Sequence, residues 1–198
     1  MSYLVHEIFG PTVQGEGALI GTPCVFLRFS KCNLWDGREE TRQFAECKIC
    51  DTDFFSYTKM TGKEIVNKLK PYKNYANWLV VSGGEPLLQF DFNLARQLYS
   101  DWHICLETNG TQPLNFDVDH ISFSPKTRRD KIRIEQCDSL KILWPDPLGL
   151  LKEFDSFPAQ HRFLQPIDCQ VTPVLDKLYE LGGRYLLSPQ LHKYIGVP

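Results

Sequence analysis

Residues Thr61–Gly110 read TGKEIVNKLK PYKNYANWLV VSGGEPLLQF DFNLARQLYS DWHICLETNG, and the change of period along them decides the fold. Thr61-Gly-Lys-Glu64 has the spacing of a capping box, and Ile65 and Leu69 then stand four apart on the helix it would start. Trp78–Ser82 is a short Val-rich run closed by Gly83-Gly84, which predicts a strand. Phe90–Ser100 predicts a second helix, and His103–Glu107 a second strand that stops at Asn109-Gly110. Helices alternating with strands argue for a parallel sheet with crossover connections.

The pattern extends both ways. Cys24–Ser30 (CVFLRFS) reads as a strand upstream, and His120–Phe123, Leu140–Trp144 and Arg162–Gln165 read as strands downstream. Val174, Leu175, Leu178 and Leu181 make an apolar stripe that ends at Gly182-Gly183. A closed eightfold β/α barrel typically takes about 250 residues, and this chain has 198. The expected fold is therefore α/β: an incomplete, TIM-like β/α barrel of parallel strands, one domain over residues 1–198. In such sheets chemistry gathers at the carboxyl ends of the strands. Cys32 follows the first of these strands, and Ser82-Gly-Gly-Glu-Pro86 closes the second. Glu107-Thr-Asn-Gly110, Ser124-Pro-Lys126 and Gln165-Pro166 close later ones. Polar or Gly-rich tips at successive strand ends would meet at one mouth, where the active site is expected.

Composition narrows the class. The chain is 42% hydrophobic and 23% charged, which suits a soluble globular domain, and its net charge of −2 gives no pull toward nucleic acid or membrane. Met-Ser-Tyr-Leu-Val-His-Glu lacks the basic and apolar regions of a signal peptide, and no apolar run reaches the length of a membrane span, so a cytoplasmic protein is expected.

Seven cysteines, an odd number, favour metal or catalysis over a disulfide framework in such a chain. Cys24, Cys105, Cys137 and Cys169 lie in apolar or strand-like surroundings and read as small buried hydrophobes. Cys32, Cys47 and Cys50 stand apart. Fourteen residues separate the first two, and two separate Cys47 from Cys50. Three thiolates can hold three irons of a [4Fe–4S] cluster and leave the fourth open. Cys47-x-x-Cys50 is also compatible with a zinc half-site completed by Cys32 with His6 or His103, or with a redox pair.

The cysteine set followed by Ser82-Gly-Gly-Glu-Pro86 resembles the radical S-adenosylmethionine (SAM) enzymes. Most of these separate their first two cysteines by three residues. The longer insertion here, 33–46, resembles one branch, the 7-carboxy-7-deazaguanine synthases. The likeness runs through Glu7-Ile-Phe, Val13-Gln-Gly-Glu-Gly17, Cys32-Asn-Leu-Trp, Cys47-x-x-Cys-Asp-Thr-Asp53, Gly83-Gly-Glu-Pro86, Glu107-Thr-Asn-Gly110 and Gln190-x-His-Lys-Tyr. It spans the chain from end to end.

The resemblance implies a set of roles. Cys32, Cys47 and Cys50 would bind the cluster, and SAM would chelate the open iron. Gly83, Gly84 and Glu85 would receive its methionine end, the carboxylate accepting from its ammonium group. Ser124, Pro125 and Lys126 and the segment Gln165, Pro166, Ile167, Asp168 would supply the remaining cofactor contacts. Thr52 would bind Mg²⁺ shared with the substrate, since magnesium tolerates few protein ligands. Val13, Gln14, Gly15 and Glu16 would read the edge of a pterin, Arg28 would clamp its carboxylate, and Ser82 would face it. The carboxylate of Pro198, at the end of a tail over residues 184–198, would reach the pocket, with His192 and Lys193 as further candidates. Each segment also has a plainer reading: a tight turn at Gly83-Gly84, a turn cap at Thr52, a solvated Arg28, a frayed terminus.

The activity implied is conversion of 6-carboxy-5,6,7,8-tetrahydropterin to 7-carboxy-7-deazaguanine with loss of ammonia, on the route to deazapurines such as queuosine. Hydrogen abstraction at the pterin C6 would begin it. The partners implied are the small-molecule substrate, a reductant such as flavodoxin, and a second copy in a homodimer. Gly10-Pro11, Leu191 and the stretch from Pro145 to Pro158 depart from the branch's pattern. A glycyl-radical activase, which needs no Mg²⁺, and a non-catalytic zinc-stabilised module are the alternative readings.

Overall fold

The computed structural model describes residues 1–48 and 56–198, and these place nine strands in one sheet. In chain order they are β1 (Ser2–Val13), β2 (Pro23–Phe29), β3 (Thr58–Thr61), β4 (Trp78–Gly83), β5 (His103–Thr108), β6 (His120–Phe123), β7 (Cys137–Trp144), β8 (Ala159–Pro166) and β9 (Leu186–Leu187). Between and after them lie α1 (Gly62–Leu69), α2 (Phe92–Leu98), α3 (Leu150–Phe154), α4 (Thr172–Glu180) and α5 (Leu191–Ile195). The sheet order is β3-β1-β2-β4-β5-β6-β7-β8-β9. From β2 to β9 every neighbouring pair is parallel. The sheet is open, with β3 and β9 at its two edges, as an incomplete barrel requires.

Six of the strands are the apolar runs read from the sequence. β1 is not among them, and Val13, read from the sequence only as part of a substrate-contacting segment, is its last residue. Gly10-Pro11 falls inside β1, where a proline would ordinarily argue against a strand. The pairing with β2 shifts register between Phe9 and Thr12, so the chain passes this dipeptide in an irregularity rather than a regular ladder. A short loop joins β1 to β2, and the two are accordingly antiparallel, as are β1 and β3. The sheet is thus mixed at one side and parallel through the rest.

α1 begins as its sequence suggests. The Glu64 backbone N–H donates to Thr61 Oγ1 at 3.3 Å, and the Thr61 N–H donates to Glu64 Oε2 at 2.7 Å. Asp91 caps α2 by accepting from the Leu94 N–H at 2.9 Å. Of the stripe expected on α4, Val174 is buried, whereas Leu175 is 37% exposed. Pro145 to Pro158 contains α3, whose Leu150 and Phe154 are buried with Phe157.

A strand's period of two sorts the two faces of the sheet. On the outer face, Val25, Leu27, Phe29, Leu79, Val81, Ile104 and Leu106 pack with Ile65 and Leu69 of α1 and with Leu94, Ala95 and Leu98 of α2. Leu140, Ile142 and Leu164 form a second core with α3 and α4. Each large side chain so buried contributes roughly 1.5–3 kcal/mol, so the helix-covered face can hold the sheet together. The inner face needs only a small apolar cluster, Cys24, Phe26, Val80 and Cys105. Farther along these strands, and on β6 to β8, it turns polar: Arg28, Ser82, Glu107, Ser122, Lys141 and Gln165.

Candidate functional site

The polar ends of the inner face line two adjoining chambers. The first, about 280 Å³, is walled by Cys32 and Cys47, by Gly83 and Gly84, by Ser124 and Lys126, and by Gln165, Pro166, Ile167 and Asp168. The second, about 330 Å³, is walled by Val13, Gln14, Gly15, Phe26, Arg28, His192 and Pro198. Glu16, Ser82, Gly83, Glu107, Gln190 and Lys193 belong to both. Both volumes are close to the lower end of the range of small-molecule sites.

Gly83 and Gly84 are required by a close approach of backbone to backbone. A Cβ on Gly83, where φ is +129°, would lie 2.0 Å from the Phe29 carbonyl oxygen, and one on Gly84 would lie 2.0 Å from that of Lys31. The contact is also hydrogen-bonded: Gly84 N–H donates to Phe29 O at 3.1 Å and Glu85 N–H to Lys31 O at 2.9 Å. The loop after β4 is thereby tied to the chain that leads into Cys32. Lys31 itself has a φ of 76°, a costly conformation for a residue with a Cβ, which clusters at functional sites.

Glu85 tightens the same knot. Its side chain is fully buried and lines neither chamber. Oε1 accepts from Thr108 Oγ1 at 2.8 Å and from the Leu87 N–H at 3.1 Å, and Oε2 accepts from the Asn109 N–H at 2.8 Å. Burial pushes its carboxyl up to about 7, against the pull of these hydrogen bonds. These partners differ from the cofactor ammonium that the resemblance implies. Asn109 in turn reaches Asn33 Oδ1 with its Nδ2 at 3.3 Å, and Asn33 donates to Thr111 Oγ1 at 2.8 Å. The start of the 33–46 segment is anchored this way. Its far end is anchored by Glu46, which accepts from Thr127 Oγ1 at 2.8 Å and pairs with Lys131 at 2.5 Å.

Between the chambers runs a charged network. Lys141 Nζ donates to Glu16 Oε2 at 2.6 Å and lies 3.6 Å from Glu107 Oε1. Gln165 and Gln190 donate to Glu16 Oε1 at 2.9 and 3.1 Å. Gln14 Nε2 and Ser82 Oγ donate to the two oxygens of Glu107 at 3.2 and 2.9 Å. Burial alone would push the Glu16 carboxyl up, but the Lys141 ammonium and the hydrogen bonds from Lys141 and Gln190 hold it below the usual carboxylate range. Burial would likewise depress Lys141, and the two carboxylates overcome that and raise it. Arg28 stands at the side of the second chamber. It pairs with Glu7 at 2.8 Å across the β1–β2 ladder, and its guanidinium lies 4.8 Å from the centre of the Phe9 ring.

The tail lines the second chamber with Gln190, His192, Lys193 and Pro198. Leu191 N–H donates to the Gly15 carbonyl at 2.9 Å, and the His192 ring sits where a Cβ on Gly15 would be, 2.0 Å from its Nδ1. The Pro198 carbonyl oxygen accepts from Thr12 Oγ1 at 3.2 Å.

No family model matches the chain. It is, however, 36% identical over 213 residues to the 7-carboxy-7-deazaguanine synthase of Bordetella pertussis, covering 100% of both chains. To that of Bacteroides thetaiotaomicron it is 35% identical over 194 residues, covering 98% of this chain and 97% of the relative. The chain belongs to the 7-carboxy-7-deazaguanine synthase family. Among solved structures, the crystal structure of QueE from Escherichia coli matches with a TM-score of 0.73 at 20% identity, over 97% of this chain and 95% of that one. That likeness is one of fold.

Against the roles implied by the 7-carboxy-7-deazaguanine synthases, the placements are as follows. Cys32 and Cys47 share the first chamber, while Cys50 and Thr52 lie outside the described residues. The residues that flank Cys32 suit a thiolate ligand. The Leu34 N–H donates to its sulfur at 3.5 Å, and Asn109 Nδ2 stands 4.0 Å away. Hydrogen bonds to cluster sulfurs are among the features that tune such centres. Pro125, like Glu85, is buried outside both chambers. Three other cysteines are buried as expected, and burial first, then neighbouring carboxylates, push the Cys24 and Cys137 thiols up to about 12. Cys169 departs from that expectation: it is half-buried, in a turn with a φ of 58°. Lys141 has no place in the sequence reading. Its signal was a lone charge between Leu140 and Ile142, the same pattern that singles out Arg28 in β2.

Proposed function

We propose that this protein is a radical SAM lyase that converts 6-carboxy-5,6,7,8-tetrahydropterin to 7-carboxy-7-deazaguanine with loss of ammonia, assisted by Mg²⁺. Membership of a family whose relatives carry that name supports the reading. The observation that carries it on this chain is the junction of the two chambers: thiols in one, and in the other acceptors and a cation suited to a pterin acid. When bound through Cys32, Cys47 and Cys50, a [4Fe–4S] cluster with an open iron and SAM would supply the radical that takes hydrogen from the substrate.

The rest falls to the chain itself. Gly83, Gly84, Ser124, Lys126 and Gln165 would line the cofactor's side. Glu16 and Gln14 offer acceptors and donors that match the guanidine-like edge of a pterin. Arg28 would exchange its pairing with Glu7 for the substrate carboxylate, which a guanidinium can bind in bidentate fashion. The tail with His192 and Pro198 would exclude water from the second chamber. Mg²⁺ at Thr52 rests on the sequence resemblance. A glycyl-radical activase would admit a protein segment; the half-enclosed polar chamber behind the tail favours a small acid instead.

Electron paramagnetic resonance of the anaerobically reconstituted, dithionite-reduced protein tests the chemistry. A [4Fe–4S]⁺ signal that changes on addition of SAM is expected, and it should vanish in Cys32→Ala and Cys47→Ala. Stoichiometric zinc with no cluster signal would overturn the reading.

A further inference from the structure

We propose that Lys141 is a positioning residue: bridging Glu16 and Glu107 from within the sheet, it holds both carboxylates as acceptors for the guanidine-like edge of the pterin. This deepens the function proposed above and rests on it. Three observations lead there. First, Lys141 is costly for the fold. Its side chain is 6% exposed, on a strand whose flanking Leu140 and Ile142 are fully packed. A buried ion pair is often no more stabilising than apolar residues of the same size, so stability gives β7 no reason to carry an ammonium at this point.

Second, the three charges arrive from separate places: the loop after β1, the end of β5 and the middle of β7. The ammonium is what these carboxylates share: it lines the first chamber, and both carboxylates stand in the wall common to the two. Third, the acceptor count fits a ligand. A carboxylate offers about four lone-pair sites. On Glu16, Gln165 and Gln190 use two at Oε1, and Lys141 uses one at Oε2. One acceptor site remains on the oxygen that Lys141 orients. Without the ammonium, two buried carboxylates would repel, and one would turn away or take up a proton.

The test is equilibrium binding of 6-carboxypterin, the oxidised and unreactive analogue, to reconstituted protein in the presence of SAM, followed by fluorescence. Lys141→Met should weaken binding by at least about tenfold, in line with truncation of a buried charge pair, while Lys141→Arg stays within a few-fold of wild type. Iron content and the [4Fe–4S]⁺ resonance recorded without SAM should be unchanged in both, which a general structural defect would not permit. In a Glu16→Gln background, Lys141→Met should cost less than it does alone, because the nearer of its two carboxylates is already neutral. That double variant removes both members of the closer pair and serves if Lys141→Met alone fails to fold.

Unchanged binding by Lys141→Met, or equal losses from it with and without Glu16→Gln, would overturn the inference and leave the proposed function standing. A wild-type protein that cleaves SAM but binds no 6-carboxypterin would overturn both.

Discussion

Glu85 lies in the motif most strongly associated with cofactor binding, yet its carboxylate faces the protein. Its three donors, Thr108, Leu87 and Asn109, join the loops after β4 and β5. A glutamine there would set an amide NH₂ against one of the two backbone N–H groups, and a buried donor left without an acceptor costs about 1–3 kcal/mol. The sign of the pH effect follows from burial. The carboxyl holds its proton up to about 7 in the folded protein, against 4.5 ordinarily. Its contribution to stability is therefore whole below 4.5 and lost as pH rises through about 7. Glu85→Gln cannot titrate, so its deficit should be largest in mild acid and shrink above neutrality. Denaturant unfolding at the two pH values measures this; a variant as stable as wild type at both would contradict the role. At this scale the sequence is only half legible. Arg28 and Lys141 present the same signal, a charge inside an apolar strand, and the alternation of faces does not say whether such a charge meets solvent or a cavity. Glu85 poses the converse problem: a motif residue reads as a contact until the depth of its burial is known.

The elements show what periodicity can and cannot carry. β2, β4 and β5 were legible as continuous apolar runs because both of their faces are buried, the outer under helices and the inner in the small apolar cluster, and β6 to β8 by their apolar outer-face residues. β1 was hidden by Gly10-Pro11, and β3 and β9 are four and two residues long, too short for a pattern. α3 and α5, each of five residues, span little more than one turn and show no amphipathic period. α5 nevertheless matters to the site, since its His192 packs on Gly15. Gly15→Ala should push that ring and the tail away. Overpacking of this kind costs about 1–3 kcal/mol, equivalent to a rise in KM for the pterin of roughly tenfold. Substrate-free SAM cleavage should remain, because the first chamber has no wall from Gly15. Steady-state kinetics with separate SAM-cleavage assays decide it: an unchanged KM would remove the tail from the substrate chamber.

For the whole molecule, the open sheet divides its labour by face. One side is apolar and helix-covered, which holds the strands; the other is free to carry charge toward the strand ends. The class of fold followed from strands alternating with helices, and the shortfall from a closed barrel followed from chain length. What stayed out of reach was long-range: which loops meet, and that Gly83-Gly84 serves the approach to Cys32 as much as any ligand. Among the described residues no helix is long and apolar enough to cross a membrane. The claim that unites the site is a single reaction across two chambers. Its most direct test is to incubate the reconstituted, reduced protein with SAM and 6-carboxy-5,6,7,8-tetrahydropterin, with and without Mg²⁺, and to analyse the products by mass spectrometry. The account expects 7-carboxy-7-deazaguanine and ammonia, formed faster with Mg²⁺ and without stoichiometric loss of SAM. SAM cleavage that leaves the pterin intact under both conditions would contradict it.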